Sequence, residues 1–309
     1  MNLSLRDIEY FLEVVEHGHL GRAAAACSVT QPALSKSLQR LEAESGLALL
    51  DRSGRSIRLT SAGLVFLQHA RKLRAEYRDA VRHAVELRAG QAGLLRVGAT
   101  GATMDAVVMP VLATLLPRRP ALRVELYAGL SDELGERVAN GGLDILVAPV
   151  YADLPPALRQ EWLQDDALCI AAGRRHRLAT RKRLALGDLA DCRWVLPRPT
   201  SMARRAFDTY YAEAGLERPH AALEVEHFSP GMLELVGRAG LLALMPRSAL
   251  AGARSAGLVE LPVALAGPLS RRIAFITRRT ATWSPLMTEF HDAVLAFMAR
   301  PAGGGTRGA

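Results

Sequence analysis

Between Leu20 and Gly46 the chain reads LGRAAAACSVTQPALSKSLQRLEAESG, two short helical patterns separated by Cys27, Ser28 and Val29. The first holds alanines from Ala23 to Ala26, strong helix formers whose small side chains let another helix approach closely. In the second, Thr30 is placed to accept from first-turn backbone donors, and Pro32 sits where a missing N–H loses nothing. A helix is therefore predicted from about Gln31. Leu34, Leu38 and Leu41 give it one apolar stripe, and Gly46 supplies the stop. Two helices around a tight turn follow, a helix-turn-helix.

The face opposite that stripe carries Pro32, Ser35, Lys36, Gln39 and Arg40, with Gln31 at its start and no acid. Hydroxyl, amide and cationic groups are the donors and acceptors that read base edges in a major groove and hold phosphates. The alternative for this helix alone is a solvated face in an all-helical bundle. The next stretch, LALLDRSGRSIRLTSAG, shifts the balance. Its two short apolar runs flank Ser53-Gly54 as in a β-hairpin, and Arg52, Arg55 and Arg58 cluster on it. A basic hairpin beside such a helix is a wing that can reach phosphates or a minor groove.

From Leu5 to Gly63 this pattern resembles the N-terminal domain of LysR-type transcriptional regulators nearly end to end, with helix, turn, recognition helix, wing and the TSAG opening of the next helix at matching spacing. Two departures stand out. Leu20 occupies a position where the family often has phenylalanine, and Asp51 follows Leu50 where an aromatic-basic wing entry is common. The resemblance implies a sequence-specific DNA-binding transcriptional regulator, not an enzyme, whose C-terminal domain binds a small-molecule effector.

At 309 residues the chain suggests two or three compact units, and its formal net charge of +8 favours anionic partners such as double-stranded DNA. No apolar run is long enough to span a membrane, and the charged N-terminus MNLSLRDIEYF lacks a secretory pattern, so a cytoplasmic location is expected. Cys27, Cys169 and Cys192 are widely spaced core thiols with no zinc-site spacing, so neither metal nor cofactor is expected. A redox pair of Cys169 with Cys192 is the minor alternative.

Ser4 is placed to cap a first helix through Leu5, Ile8, Phe11, Leu12 and Val15, ending near Gly18. Residues 1–60 then form the winged helix-turn-helix, and residues 61–89 a linker helix about 43 Å long. Along it Phe66, Ala70, Leu73, Tyr77, Ala80, Ala84 and Leu87 alternate by four and three, a seam for a second copy. The alternative is a helix packed on its own effector domain. A homodimer reading two half-sites is expected, with a homotetramer and a contact to RNA polymerase as further candidates.

After a glycine-bearing joint at Gly90 to Gly93, apolar strands alternate with helices through residues 90–300, which implies α/β architecture with a mainly parallel sheet. The element order resembles the family's effector-binding domain, similar to periplasmic solute-binding proteins. That likeness puts lobe I at about 91–164 and 267–300 and lobe II at about 165–266. The glycine-rich tail, 301–309, is expected to be disordered.

Ligands of open α/β sheets sit beyond the carboxyl ends of the strands. Four strand-to-helix loops qualify: Thr100 to Thr103, Ala148 to Val150 with Pro149, Arg198 to Ser201 with Thr200, and Phe228 to Pro230 with Ser229. Hydroxyls and helix N-termini there would clamp a small organic anion, with Arg204 and Arg205 adding charge. The resemblance carries effector contact onto Thr100, Thr103 and Ser201, although each hydroxyl could equally be a cap. Gly98 and Gly101 do not make a dinucleotide fingerprint, and no nucleophile elbow, H-E-x-x-H or phosphate loop supports an enzyme. A solute-binding protein with an appended basic domain is the other alternative.

Overall fold

The computed structural model describes residues 3–51, 57–89, 93–151, 153–253, 257–263, 265 and 269–299. The chain divides into two units, Met1–Ala84 and Val85–Ala309.

In the first unit Ser4 caps α1 (Leu5–His17) in a reciprocal box with Asp7, and Gly18 ends it in the left-handed conformation. Val14, not Val15, is its innermost valine, beside Ile8, Phe11 and Leu12. The helices α2 (Leu20–Ala26) and α3 (Gln31–Ser45) follow, joined through Ser28 at a φ of 54°. Thr30 accepts from the Ala33 amide and Gly46 closes α3, so the helix occupies the predicted span. Leu34, Leu38 and Leu41 are fully buried against α1 and α2.

A short hairpin of β1 (Leu50–Asp51) and β2 (Arg58–Leu59) leads to α4 (Ser61–Ala89). Four hydrogen bonds join these parts. Glu42 accepts from the amides of Leu49 and Leu50 at 2.8 and 3.0 Å, and Thr60 donates to the Ala48 carbonyl at 2.7 Å while accepting from Gly63. At Gly63 a Cβ would lie 2.1 Å from the Leu49 carbonyl oxygen, so only glycine fits.

The second unit contains β3 (Gly93–Ala99), α5 (Gly101–Thr103), α6 (Met109–Leu115), β4 (Leu122–Ala128), α7 (Ser131–Ala139), β5 (Ile145–Val150) and β6 (Leu158–Gly173). It continues with β7 (Arg193–Pro197), α8 (Met202–Glu213), β8 (His220–Val225), α9 (Pro230–Ala239), β9 (Leu242–Pro246) and α10 (Arg247–Ala253). It closes with β10 (Leu258–Glu260), β11 (Ser270–Arg278) and α11 (Pro285–Met298). Among the described residues the strand order is β4-β3-β5-β11-β6-β9-β7-β8, with β10 paired to β6.

Two parallel triplets, β4-β3-β5 and β8-β7-β9, flank antiparallel β11 and β6. The sheet is thus mixed where a mainly parallel one was expected. The chain crosses outward along β6 and returns along β11, so these neighbours must run in opposite directions. Alternation sends Ile145 and Val147 of β5 to one core and Leu146 and Ala148 to another, which puts helices on both faces. In the same way Cys169 of β6 enters the core under α9, whereas Ile170 joins the opposite core, which also holds Cys192.

Candidate DNA-reading face and effector cleft

On α3 the side chains of Gln31, Pro32, Lys36, Gln39 and Arg40 are exposed and Ser35 is half-buried, so the six share the outward face. Arg40 differs from the others. Its guanidinium donates to Asp7, a carboxylate buried between α1 and α3 that also accepts from the Ser37 hydroxyl and from Ser4. Burial pushes the Asp7 pKa up, but hydrogen bonds from Ser37, Ser4 and Arg40 outweigh it and hold the group at about 2. Asp7 therefore caps α1 and grips the middle of α3, and Arg40 is half of that grip. Sequence reasoning put Arg40 on the reading face without its partner on α1.

On the hairpin Arg58 is exposed on β2, while Arg52 and Arg55 lie outside the described residues. Along α4 the seam divides. Ala70 is buried in the core of the first unit and Phe66 packs on it, its ring edge-on to Phe11 at 5.2 Å. These two positions are occupied within the chain, contrary to the expectation of a seam continuous from Phe66. Leu73 and Tyr77 remain 52% and 51% exposed, Ala80 and Ala84 are exposed on the same side, and the Leu87 side chain lies outside the described residues. Val81, 46% exposed, adds to that strip.

In the second unit a cavity of about 460 Å³ opens between the two halves of the sheet. Of the expected contacts, Thr100, Pro149, Ser201 and Phe228 line it, and Thr103, Thr200 and Ser229 do not. Thr103 is buried and donates to the Val147 carbonyl at 2.6 Å, which makes Thr100 the donor in the 3.0 Å contact between their hydroxyls. Ser229 caps α9, and the Thr200 carbonyl accepts from Arg205. Even Ser201 uses its hydroxyl to cap α8 through the Arg204 amide at 3.2 Å. Capping thus took two of the five candidate hydroxyls, Ser201 and Ser229, and the Val147 carbonyl took that of Thr103.

Five ionisable wall residues escaped the sequence reading: Asp105, Tyr151, Glu226, His227 and Arg271. β8 ends at Val225, and Glu226, His227 and Phe228 turn into the cleft. A Cβ on Gly101 would lie 2.6 Å from His227 Cβ, so this glycine lets the two sides of the cleft meet.

Arg271 is buried where β11 pairs with β6, directly opposite Asp166. It donates to Asp166 through one terminal nitrogen and to the Tyr151 hydroxyl at 2.9 Å through the other. Burial opposes its charge, but Tyr151 and Asp166 outweigh that and raise its pKa. Burial raises the Tyr151 phenol against the pull of Arg271, so Tyr151 keeps its hydrogen. Arg204, expected to add charge, is paired with Asp208 and Glu224, and Arg205 with Asp132.

Residues 5–64 match the bacterial regulatory helix-turn-helix protein, lysR family, and residues 88–299 match the LysR substrate binding domain. The chain belongs to the LysR family. Over 225 residues it is 31% identical to the HTH-type transcriptional regulator GbpR of Azospirillum brasilense, covering 72% of this chain. That match spans 66% of the length of GbpR. Over 307 residues it is 27% identical to the DNA-binding transcriptional dual regulator OxyR of Escherichia coli K12, covering 97% of each chain.

Among solved structures, full-length CbnR complexed with its target DNA is similar at a TM-score of 0.58 and 25% identity, covering 95% of this chain and 99% of that one. A full-length OxyR variant from Pseudomonas aeruginosa, at 21% identity and a TM-score of 0.64, covers 96% of this chain and 95% of its own and shares the fold. LysR-family chains are transcriptional regulators, not enzymes.

Proposed function

We propose that this LysR-family chain controls transcription in the cytoplasm as a homodimer, or as two paired homodimers, on double-stranded DNA. The exposed, acid-free face of α3 beside a basic hairpin supports the reading most directly. Gln31, Pro32, Ser35, Lys36 and Gln39 read the major groove. Arg52, Arg55 and Arg58 meet phosphate, and Arg40 sets the helix through Asp7.

The exposed part of the α4 seam, Leu73, Tyr77, Ala80 and Ala84, holds two copies together so that two half-sites are read at once. Residues 1–60, 61–89 and 90–300 serve as reader, linker and effector domain, with the effector held between lobe I (about 91–164 and 267–300) and lobe II (about 165–266). The effector must bind one arrangement of the assembly better than another, because equal affinity shifts nothing. RNA polymerase is a further partner of the DNA-bound form. Among the described residues no helix is long and apolar enough to cross a membrane.

The test is the salt dependence of binding to the chain's own promoter DNA, followed by fluorescence anisotropy. A steep fall with salt is expected, with the logarithmic slope reduced by about one in Lys36→Ala. A flat profile sinks the proposal.

A further inference from the structure

The cleft carries a charge pattern that a clamp for small anions would not have. Among the described residues its only guanidinium is that of Arg271, whose charge is answered by Asp166 in a buried pair. Three arginines close to the cleft in sequence, Arg198, Arg204 and Arg205, are paired with Glu226, with Asp208 and Glu224, and with Asp132. At the exposed mouth stand two carboxylates, Asp105 and Glu226, and the imidazole of His227. Arg198 answers Glu226 at 2.9 Å, whereas Asp105 has no ion-pair partner among the described residues.

The buried end is different. There the Arg271 side chain is 5% exposed, and its Nε–H is enclosed without an acceptor. Tyr151 accepts from Arg271 and keeps its own hydrogen to donate. This end offers the Tyr151 hydrogen beside an already neutralised charge. Between the two ends the wall is apolar, with Leu168, Leu233, Leu244, Met245 and Phe228.

We infer that this cleft takes an apolar ammonium compound with a neutral oxygen acceptor at its far end, and not an organic anion. The ammonium lies against Asp105 at the mouth, and the oxygen accepts from the Tyr151 hydroxyl at the floor. A carboxylate at the mouth would face Asp105 and Glu226 with only Arg198, already paired, to offset them. One at the floor would compete with Asp166 for Arg271 and leave one acid buried and unpaired. The N-termini of α7, α8 and α9 line the cleft and count in favour of an anion, each worth roughly half an elementary charge. Ser201 and Ser229 cap two of them, however, and Asp132 and Glu133 stand in the first turn of the third. The cavity volume falls within the range of about 300–1,000 Å³ usual for small-molecule sites.

The inference rests on the cleft being the effector site, and three probes of one size separate the two ideas. Tyramine carries both the ammonium and the hydroxyl, phenethylamine lacks the hydroxyl, and para-hydroxyphenylacetate replaces the ammonium with a carboxylate. Titration calorimetry on the full chain should show tyramine binding at least about tenfold tighter than para-hydroxyphenylacetate, with phenethylamine between them. In Asp105→Asn, tyramine should weaken by about tenfold while para-hydroxyphenylacetate does not. Asp105 is exposed, so a melting curve should show this variant folded.

Tighter binding of the acid than of the amine overturns the charge assignment and leaves the cleft as the effector site. An unchanged amine preference in Asp105→Asn overturns the role given to that residue and the assignment with it. Binding of all three unaltered by Ala203→Trp, which obstructs the cavity wall, or no binding of any, overturns the effector reading as well.

Discussion

Asp7 on α1 accepts a hydrogen bond from the guanidinium of Arg40 on α3, so α3 is held by a buried carboxylate of the first helix. The same carboxylate accepts from Ser37 and Ser4, and its pKa is held at about 2.

Acid should therefore loosen the packing of α3 on α1. An aspartate is unperturbed near 3.9 in an unfolded chain. The folded value is depressed, so its stabilisation is complete above about pH 4 and is lost as pH falls from there through about 2. The contribution is at most about 2 kcal/mol, because Arg40 is more than half exposed and its share is screened. Asp7→Asn should lower the melting temperature at pH 7 and remove most of this acid dependence. An acid profile identical to that of the parent would refute the role given to Asp7.

Gly63→Ala should be among the most damaging single-methyl additions in the chain. The obstructing atom is the Leu49 carbonyl oxygen, part of the backbone, and it cannot turn aside as a side chain could. A loss of at least about 2 kcal/mol is expected in denaturant melts of the full chain. The comparison is Gly187→Ala, whose added methyl meets nothing within 4 Å and should change stability by less than about 0.5 kcal/mol. Equal stability of the two variants would show that the Gly63 contact relaxes freely.

Local chemistry made the first unit legible. Ser4, Thr30, Pro32, Gly18 and Gly46 act within one turn of their own helices, and each sits where its spacing predicts. The cleft depended on pairings far apart in the chain. Arg271 and Asp166 meet because β11 aligns with β6 across 105 residues, and no local pattern encodes that register. The first half of β6, LRQEWLQDD, gives no strand signal in the sequence, because its acids and glutamines hide the alternation that begins at Leu158. Hydroxyls misled for a physical reason. A serine or threonine before a helix satisfies the backbone first, as Ser201 and Ser229 do, and only what is left can face a ligand.

Peroxide should not join Cys169 to Cys192. The two thiols are buried in cores on opposite faces of the sheet, so no side-chain rotation brings their sulfurs together. Burial also pushes the Cys169 thiol up to about 12, leaving almost no thiolate at neutral pH to begin the chemistry. Mass spectrometry of peroxide-treated native protein should find both cysteines unlinked. A bridged peptide would contradict the sheet assignment of one of them.

The divided seam of α4 separates two effects that a continuous seam would merge. Leu73 and Tyr77 are about half exposed within the chain, so Leu73→Glu or Tyr77→Glu should leave the first unit folded while placing a charge where a second copy would bury it. Sedimentation should then show the assembly reduced to single chains, with the melting temperature of dilute protein nearly unchanged. Phe66→Ala should do the opposite, because its ring packs edge-on to Phe11 in the core of its own unit. A loss of about 3 kcal/mol is expected, with the folded fraction still associated. An unchanged sedimentation coefficient for both glutamate variants would remove this strip from the interface between copies.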